Sequence, residues 1–175
     1  MAEILHLRPA LPSDADTLRR WDARDHVADA SGDPDFNATD WDAELARTAD
    51  WQDHRIAMLG ARQIGMVQMI DAAREESHYW GDVADSVWAI DIWIGEPDCI
   101  GQGHGREMMR QALDLCFARP GVGEVRVDPL ASNTSAHRFY DAMGFTFTGP
   151  RQFGPDHCHV YAITRYAWRK GNDNA

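Results

Sequence analysis

The sequence predicts an α/β (α+β) fold: one mixed central β-sheet flanked by helices. Three observations carry it. Apolar strand-like runs and helical repeats follow one another in the order β-α-α-β-β-β-α-β-α-β-β. The apolar run Val87–Ile94 leads into three glycines at alternate positions and then a long helical repeat. The chain has 175 residues, 44% of them hydrophobic and seven of them Trp, enough to bury a sizeable core. One domain spanning residues 1–175 is therefore expected.

Each element has its own signal. Ile4–Arg8 reads as the first strand. Ser13 and Asp16 have the spacing of a capping box opening a helix through about Ala23. Thr39 and Asp42 mark a second such start, with Trp41, Leu45 and Thr48 on one face. Arg55–Leu59 and Ile64–Ile70 form a hairpin across Gly60-Ala61-Arg62-Gln63. Residues 71–84 read as a polar loop, and Val87–Ile94 as the central strand. Gly105–Phe117 is a helix, because Met108, Met109, Ala112, Leu113, Leu115, Cys116 and Phe117 recur at i, i+3, i+4 spacing. Glu124–Val127 is the next strand and Thr134–Met143 the next helix. Phe145–Thr148 and His159–Ile163 close the sheet as a hairpin. No internal repeat, linker or low-complexity segment is evident.

The loop Gly101-Gln102-Gly103-His104-Gly105 lies between the central strand and its helix. That arrangement aims backbone N–H groups and a positive dipole end at one spot, where a phosphate or pyrophosphate fits. Glycine there permits positive φ and close approach of a ligand. A dinucleotide fold would place such a loop near the start of a βαβ unit, whereas here it lies past the middle of the chain. A P-loop is excluded because no Gly-Lys-Ser/Thr follows.

Charge narrows the partners. Seventeen Lys+Arg against 28 Asp+Glu give a net charge of −11, which repels nucleic acid and anionic membranes and attracts cations. Carboxylates are interleaved with aromatics in His78-Tyr79-Trp80-Gly81-Asp82 and Trp88-Ala89-Ile90-Asp91-Ile92-Trp93, a composition suited to an ammonium pocket. No signal peptide or membrane-length apolar run is seen, so a cytoplasmic protein is expected. Cys99, Cys116 and Cys158 have no CxxC spacing and fit reduced thiols. Asn37-Ala38-Thr39 and Asn133-Thr134-Ser135 match a glycosylation pattern that has no meaning without secretion. His157-Cys158-His159 is not a metal site on this reading, since neighbours in a strand point to opposite faces; no metal is expected.

Downstream lie Val125-Arg126-Val127-Asp128-Pro129, Ser132-Asn133, His137-Arg138-Phe139-Tyr140 and Met143-Gly144-Phe145. With the glycine loop, these motifs resemble the GCN5-related N-acetyltransferase (GNAT) superfamily over residues 1–168. The resemblance implies the GNAT fold and acetyl-CoA as co-substrate. It implies cofactor binding by Ile92, Trp93 and Ile94, by Gly101, Gln102, Gly103, His104, Gly105 and Arg106, and by Asn133. Ile100 stands where many members carry Gln or Arg, which leaves the phosphate contacts to the loop amides.

Within the superfamily the chain is most similar to aminoglycoside 6′-N-acetyltransferases. The stretches that carry this are Arg55-Ile56-Ala57-Met58-Leu59, Ile64-Gly65-Met66-Val67-Gln68, Tyr79-Trp80, Ile90-Asp91, Asp128-Pro129 and Val160-Tyr161 with Thr164-Arg165. This implies an acceptor held by Gln68, Tyr79, Trp80, Asp82, Asp91, Asp128 and Asp156. Asp91 matches the carboxylate that orients or deprotonates the amine, and Tyr140 the tyrosine near the CoA sulfur. One departure is the Ala28-Asp29-Ala30 segment, where relatives carry a Trp pair that packs on the drug.

The chemistry agrees with these assignments. An alkylammonium must lose a proton before it attacks a thioester, and Asp91 can accept it directly or through water. Amides near Ile92–Ile94 can polarise the thioester carbonyl, and Tyr140 can donate to the leaving thiolate. Acetylation of a polyamine, a siderophore hydroxylamine, or a protein Lys or N-terminus is a second reading, and a non-catalytic acyl-CoA-binding module a third. A monomer or a homodimer fits equally.

Overall fold

The computed structural model describes residues 3–173. Seven strands form one open sheet: β1 Leu5–Pro9, β2 Gln52–Leu59, β3 Arg62–Asp71, β4 Val87–Ile94, β5 Glu124–Val127, β6 Thr146–Phe153 and β7 Asp156–Thr164. Their spatial order is β1-β2-β3-β4-β5-β7-β6. Only β4 and β5 pair in parallel; the other neighbours are antiparallel. The helices are α1 Ala15–Asp22, α2 Asp25–Ser31, α3 Pro34–Asn37, α4 Trp41–Ala46, α5 His104–Ala118, α6 Thr134–Ala142 and α7 Arg165–Asp173. The predicted α/β fold with one mixed sheet is what the chain adopts.

One face of the sheet carries α5. Met108, Met109, Ala112, Leu113 and Cys116 pack onto Val67, Met69, Ile90, Val125 and Val127, all buried. Truncating a fully buried side chain of this kind, such as Leu113→Ala, costs about 2–5 kcal/mol. The opposite face is divided between two clusters. Trp21, Leu18 and Trp41 of the N-terminal helices cover Ile56 and Met66, while Trp80, Phe153, Cys158 and Val160 cover Val87 and Ala89. Side chains alternate along β4, so Asp91 follows Ala89 and precedes Trp93 on this second face. It therefore falls in the gap between the two apolar clusters.

β4 and β5 pair only at Val87↔Glu124, Trp88↔Val125 and Ala89↔Arg126. Beyond Ala89 the two strands diverge. β4 continues to Ile94 along β3, while the chain after β5 follows β7, with His159 N donating to the Pro129 carbonyl and Ala131 N to that of His157. The edge of β4 facing the gap is left without a strand partner from Ile90 onward, with its alternate N–H groups open.

Several local expectations are corrected. The Ser13/Asp16 capping box does not form. Pro12–Asp14 is a single 3₁₀ turn, and the buried Asp14 accepts from Leu11 N at 2.7 Å and from Arg8 at 2.7 and 2.8 Å. Asp40, not Thr39, caps α4, its Oδ1 accepting from Ala43 N at 3.2 Å. Residues 71–84 are less exposed than their polarity implies, because the buried Glu75 accepts from Ser77 N, Ser77 Oγ and Tyr79 N and so folds the loop onto Trp80. Neither α2, α3 nor α7 was expected.

Candidate active site

The divergence of β4 and β5 opens a cleft of about 260 Å³ lined by Ile92, Trp93, Ile94, Gly105, Asn133, Ser135, Ala136, Phe139 and Tyr140. The glycine loop stands at its mouth. Gly101 (φ 75°) and Gly103 (φ 86°) are left-handed, and Gly103 is the N-cap of α5. A Cβ on either would meet nothing within 4 Å, so the backbone turn, not crowding, requires glycine. Gly105 differs: it lies inside α5, and a Cβ there would point at Phe139 and Ile94. The amides of the first turn of α5 aim out of the helix end, the arrangement that holds a pyrophosphate. Gln102 Nε2 donates to the Asp98 carbonyl and steadies the loop. His104 opens α5 half-buried, while Arg106 is exposed.

Asn133 caps α6, its Oδ1 accepting from Ala136 N at 3.1 Å, and its amide nitrogen, at the cleft wall, has no hydrogen bond to the described residues. Helical spacing then turns Ala136 and Tyr140 inward. The Tyr140 ring is buried among Phe139, Phe145 and Tyr161, with centroids 5.3–6.0 Å apart. Burial, followed by the fields of Asp91 and Asp128, pushes its phenol far above the ordinary range. The hydroxyl therefore keeps its proton and can donate a hydrogen bond, while the same burial disfavours the phenolate.

Asp91 and Asp128 form the electrostatic centre. Asp91 keeps solvent contact but rises from the floor of a groove walled by protein. That enclosure desolvates its carboxylate and raises its pKa, with only the field of His54 acting the other way. Asp128 is raised first by burial and then by the negative charge of Asp91. Tyr79 donates to Asp128 Oδ2 at 2.6 Å, and its ring stacks on Phe153 at 4.4 Å. Trp80 is buried edge-on to Phe153 at 5.1 Å. Gln68 pairs directly across from Asp91 on β3, so both side chains leave the same face.

The remaining acceptor candidates lie apart from this centre. Asp82 is exposed on the loop, with no hydrogen bond to the described residues. Asp156 binds the N-terminal arm: its Oδ1 accepts from Asp33 N at 2.9 Å and its Oδ2 from Asn37 Nδ2 at 2.8 Å. Trp93 contributes backbone to the cleft, while its ring packs with Trp41 at 6.1 Å in the N-terminal cluster. Cys158 is buried with its thiol pushed up to about 12, so it is inert. It points inward while its neighbour His157 is exposed, as strand alternation requires. Sequence reasoning missed Ser135, Ala136 and Phe139, although Ala136 lies three residues after Asn133 and four before Tyr140, an offset that already places it on the inward side.

Residues 10–153 match the family model described as an acetyltransferase (GNAT) domain. No curated protein matches the chain. Among solved structures, AAC(6′)-Ib in complex with ribostamycin and coenzyme A is 26% identical, with a TM-score of 0.86 over 98% of this chain and 99% of that one. The aminoglycoside acetyltransferase AAC(6′)-Ib with coenzyme A and kanamycin is 25% identical, with a TM-score of 0.84 over 97% and 99%. An aminoglycoside N(6′)acetyltransferase from Legionella pneumophila, 16% identical with a TM-score of 0.75 over 98% of both chains, shares the fold.

Proposed function

Because the chain belongs to the GNAT acetyltransferase family, we propose that it transfers acetyl from acetyl-CoA to a primary amine of a polycationic small molecule, the 6′-amine of an aminoglycoside. The Asp91–Asp128 pair carries this reading. Two carboxylates that burial pushes towards neutrality, one of them further raised by the charge of the other, are relieved when a cation sits between them. An ammonium does that, and it is also the group that has to lose a proton.

The residues divide the work. The amides at Gly101–Gly105 and the side-chain nitrogen of Asn133 would hold acetyl-CoA, and the cleft wall of Ile94, Phe139 and Ala136 is apolar enough to take its thiol arm. When bound, acetyl-CoA supplies an activated acetyl group as a thioester. The unpartnered edge of β4 at Ile92–Ile94 offers N–H groups to a carbonyl oxygen. Asp91 accepts the amine proton, directly or through water, while Asp128, oriented by Tyr79, anchors the cation. Tyr140 presents its O–H on the cleft side, towards a departing thiolate. On this reading the protein works in the cytoplasm, and loss of a drug ammonium is the chemistry of antibiotic resistance.

The deciding experiment is release of CoA thiol with kanamycin, a polyamine, a hydroxylamine siderophore and a lysine peptide. Turnover of kanamycin, with KM rising as salt rises, is expected. Turnover of only the peptide or the hydroxylamine would replace the acceptor class. Binding of acetyl-CoA with no turnover would leave a non-catalytic module.

Two further results are expected. Tyr140→Phe keeps the ring packing and removes the hydroxyl, so kcat should fall about 10-fold with both KM values and the melting temperature unchanged. An unchanged kcat would make Tyr140 structural. The second concerns pH. Holding a cation needs both carboxylates ionised, and both pKa values are raised. The acid limb of kcat/KM should therefore lie above the ordinary carboxylate range of about 4, with activity lost as pH falls through it. Asp128→Asn should move that limb downward, because the carboxyl that burial and the charge of Asp91 raise is then gone. A limb that stays in place in Asp128→Asn would assign it to another group.

A further inference from the structure

Arg151 lies half-buried on the edge strand β6, and its side chain reaches a loop 71 residues earlier in the chain. There Nη2 donates to the Trp80 carbonyl at 2.8 Å. The guanidinium carbon stands 4.6 Å from the centre of the Phe153 ring and 5.9 Å from that of Trp80. A planar guanidinium can lie on a ring and donate from its edge at the same time. No carboxylate among the described residues forms an ion pair with it. One carbonyl and two aromatic faces hold this cation instead.

The same groups hold Tyr79. Its ring stacks on Phe153 at 4.4 Å with the two planes 4° apart, and its N–H donates to Glu75. Its hydroxyl donates to Asp128 Oδ2 at 2.6 Å. An unbroken set of contacts thus runs from Arg151, through the Trp80 carbonyl and the Phe153 ring, to Tyr79 and so to Asp128. The ionisable groups around Asp128 are Asp91 on β4, Tyr79 on the loop, Tyr140 on α6, Arg151 on β6 and Cys158 on β7. Of these, Arg151 alone is a cation. Burial and then the charge of Asp91 raise the Asp128 carboxyl, while the Tyr79 bond and the field of Arg151 act the other way. A fixed cation near a pocket for cations also repels the ligand, so its charge works both for and against binding. Its fastening of Tyr79 works only for it.

We propose that Arg151 is a positioning residue for acetyl transfer: it fastens Tyr79 by way of Trp80 and Phe153, and Tyr79 aims the Asp128 carboxylate at the ammonium of the acceptor. This inference rests on the reading of Asp128 as the anchor of that cation. It makes the planar shape of the side chain, and not its charge, the property that counts. Lys at this position keeps the charge, but its ammonium is a point donor that cannot lie flat on Phe153 while it reaches the carbonyl. Tyr79 would then be held by its ring contact and Glu75 alone, and its bond to Asp128 would loosen.

Arg151→Lys, Tyr79→Phe and the double variant form a double-mutant cycle that tests the link. Tyr79→Phe should raise the kanamycin KM roughly tenfold and Arg151→Lys roughly fivefold, the loss and the loosening of one hydrogen bond to a charged group. The double variant should go no further than Tyr79→Phe, and the acetyl-CoA KM should stay at its wild-type value throughout. A Lys variant with the wild-type kanamycin KM would reduce Arg151 to a nearby charge, and effects that multiply would disconnect it from Tyr79; either overturns the proposal. A carbon-13 titration of the Asp128 carboxyl, its signal identified by its absence in Asp128→Asn, reads the same link without turnover. Both single variants should raise the pH at which Asp128 titrates, because a bond that favours its charged form is lost or loosened. A titration unmoved in Arg151→Lys also overturns the proposal. Failure of the wild-type protein to acetylate kanamycin, with the titration shifted as expected, would remove the acceptor reading and leave the fastening of Asp128 in place.

Discussion

Asp91→Asn should lower kcat/KM for a polycationic acceptor by on the order of 10² or more, while the folded protein becomes no less stable. The two halves of this expectation have one cause. Folding encloses the carboxylate in a groove, and that desolvation raises its pKa. A carboxylate with a raised folded-state pKa gives its full contribution to stability below the unfolded value. It loses that contribution as pH rises through the folded value. At neutral pH and above, the wild-type protein therefore carries a charge that folding disfavours, and Asn of the same shape relieves it. Thermal melts across pH should show the Asn variant gaining on wild type as pH rises from the ordinary carboxylate range. Activity should be lost throughout, because the amide neither accepts the amine proton nor attracts the ammonium. A variant with near-normal turnover would transfer the proton-accepting role to Asp128 or to a chain of water.

Gly103→Val should raise the acetyl-CoA KM at least tenfold with little effect on the acceptor. Gly103 is left-handed and caps α5, and a β-branched residue there carries a strain of about 1–2 kcal/mol. The added side chain would meet no neighbour in the protein, so the fold survives and the helix start rotates away from its present aim. The amides that would hold the pyrophosphate move with it. Calorimetric titration with CoA separates this from a general loss of stability: a folded variant with wild-type affinity for CoA would place the cofactor elsewhere. Gly105→Ala is the contrast, since its backbone is already helical and a methyl group there narrows the cleft against Phe139 and Ile94. It should weaken CoA binding without lowering the melting temperature.

Much of this was legible because the signals are local. Val87–Ile94 and Glu124–Val127 occupy in the fold the bounds their apolar runs predict. The helix after Asn133 begins where its capping side chain puts it. The glycine loop, too, lies within a few residues of the strand and helix that give it meaning. Where neighbours far along the chain decide, reading failed. The strand expected at Phe145–Thr148 runs from Thr146 to Phe153, through Gly149 and Pro150. In the sheet, a register shift between Phe147 and Gly149 leaves Thr148 as the extra residue, and Pro150 is tolerated on an edge strand that needs no N–H there. The short helices α2 and α3 have too few residues to signal themselves. They are held by Asp33 on the turn of α3 and by Asp156, more than a hundred residues away.

The sequence by itself determined the central strands, the longer helices after the glycine loop and after Asn133, where the glycine turn falls, and which carboxylates stand among aromatics, since periodicity, capping and backbone freedom act over a few residues. Tertiary structure alone decided what those groups do to one another. Pairing order set Gln68 and His54 in line with Asp91, and the parting of β4 from β5 opened the cleft. Tyr79 was brought to Asp128 across 49 residues, while Asp156 was turned to the N-terminal arm. The reason is physical: a carboxylate's pKa and a hydroxyl's partner depend on desolvation and on charges at a few ångströms, and those distances exist only once the sheet has formed.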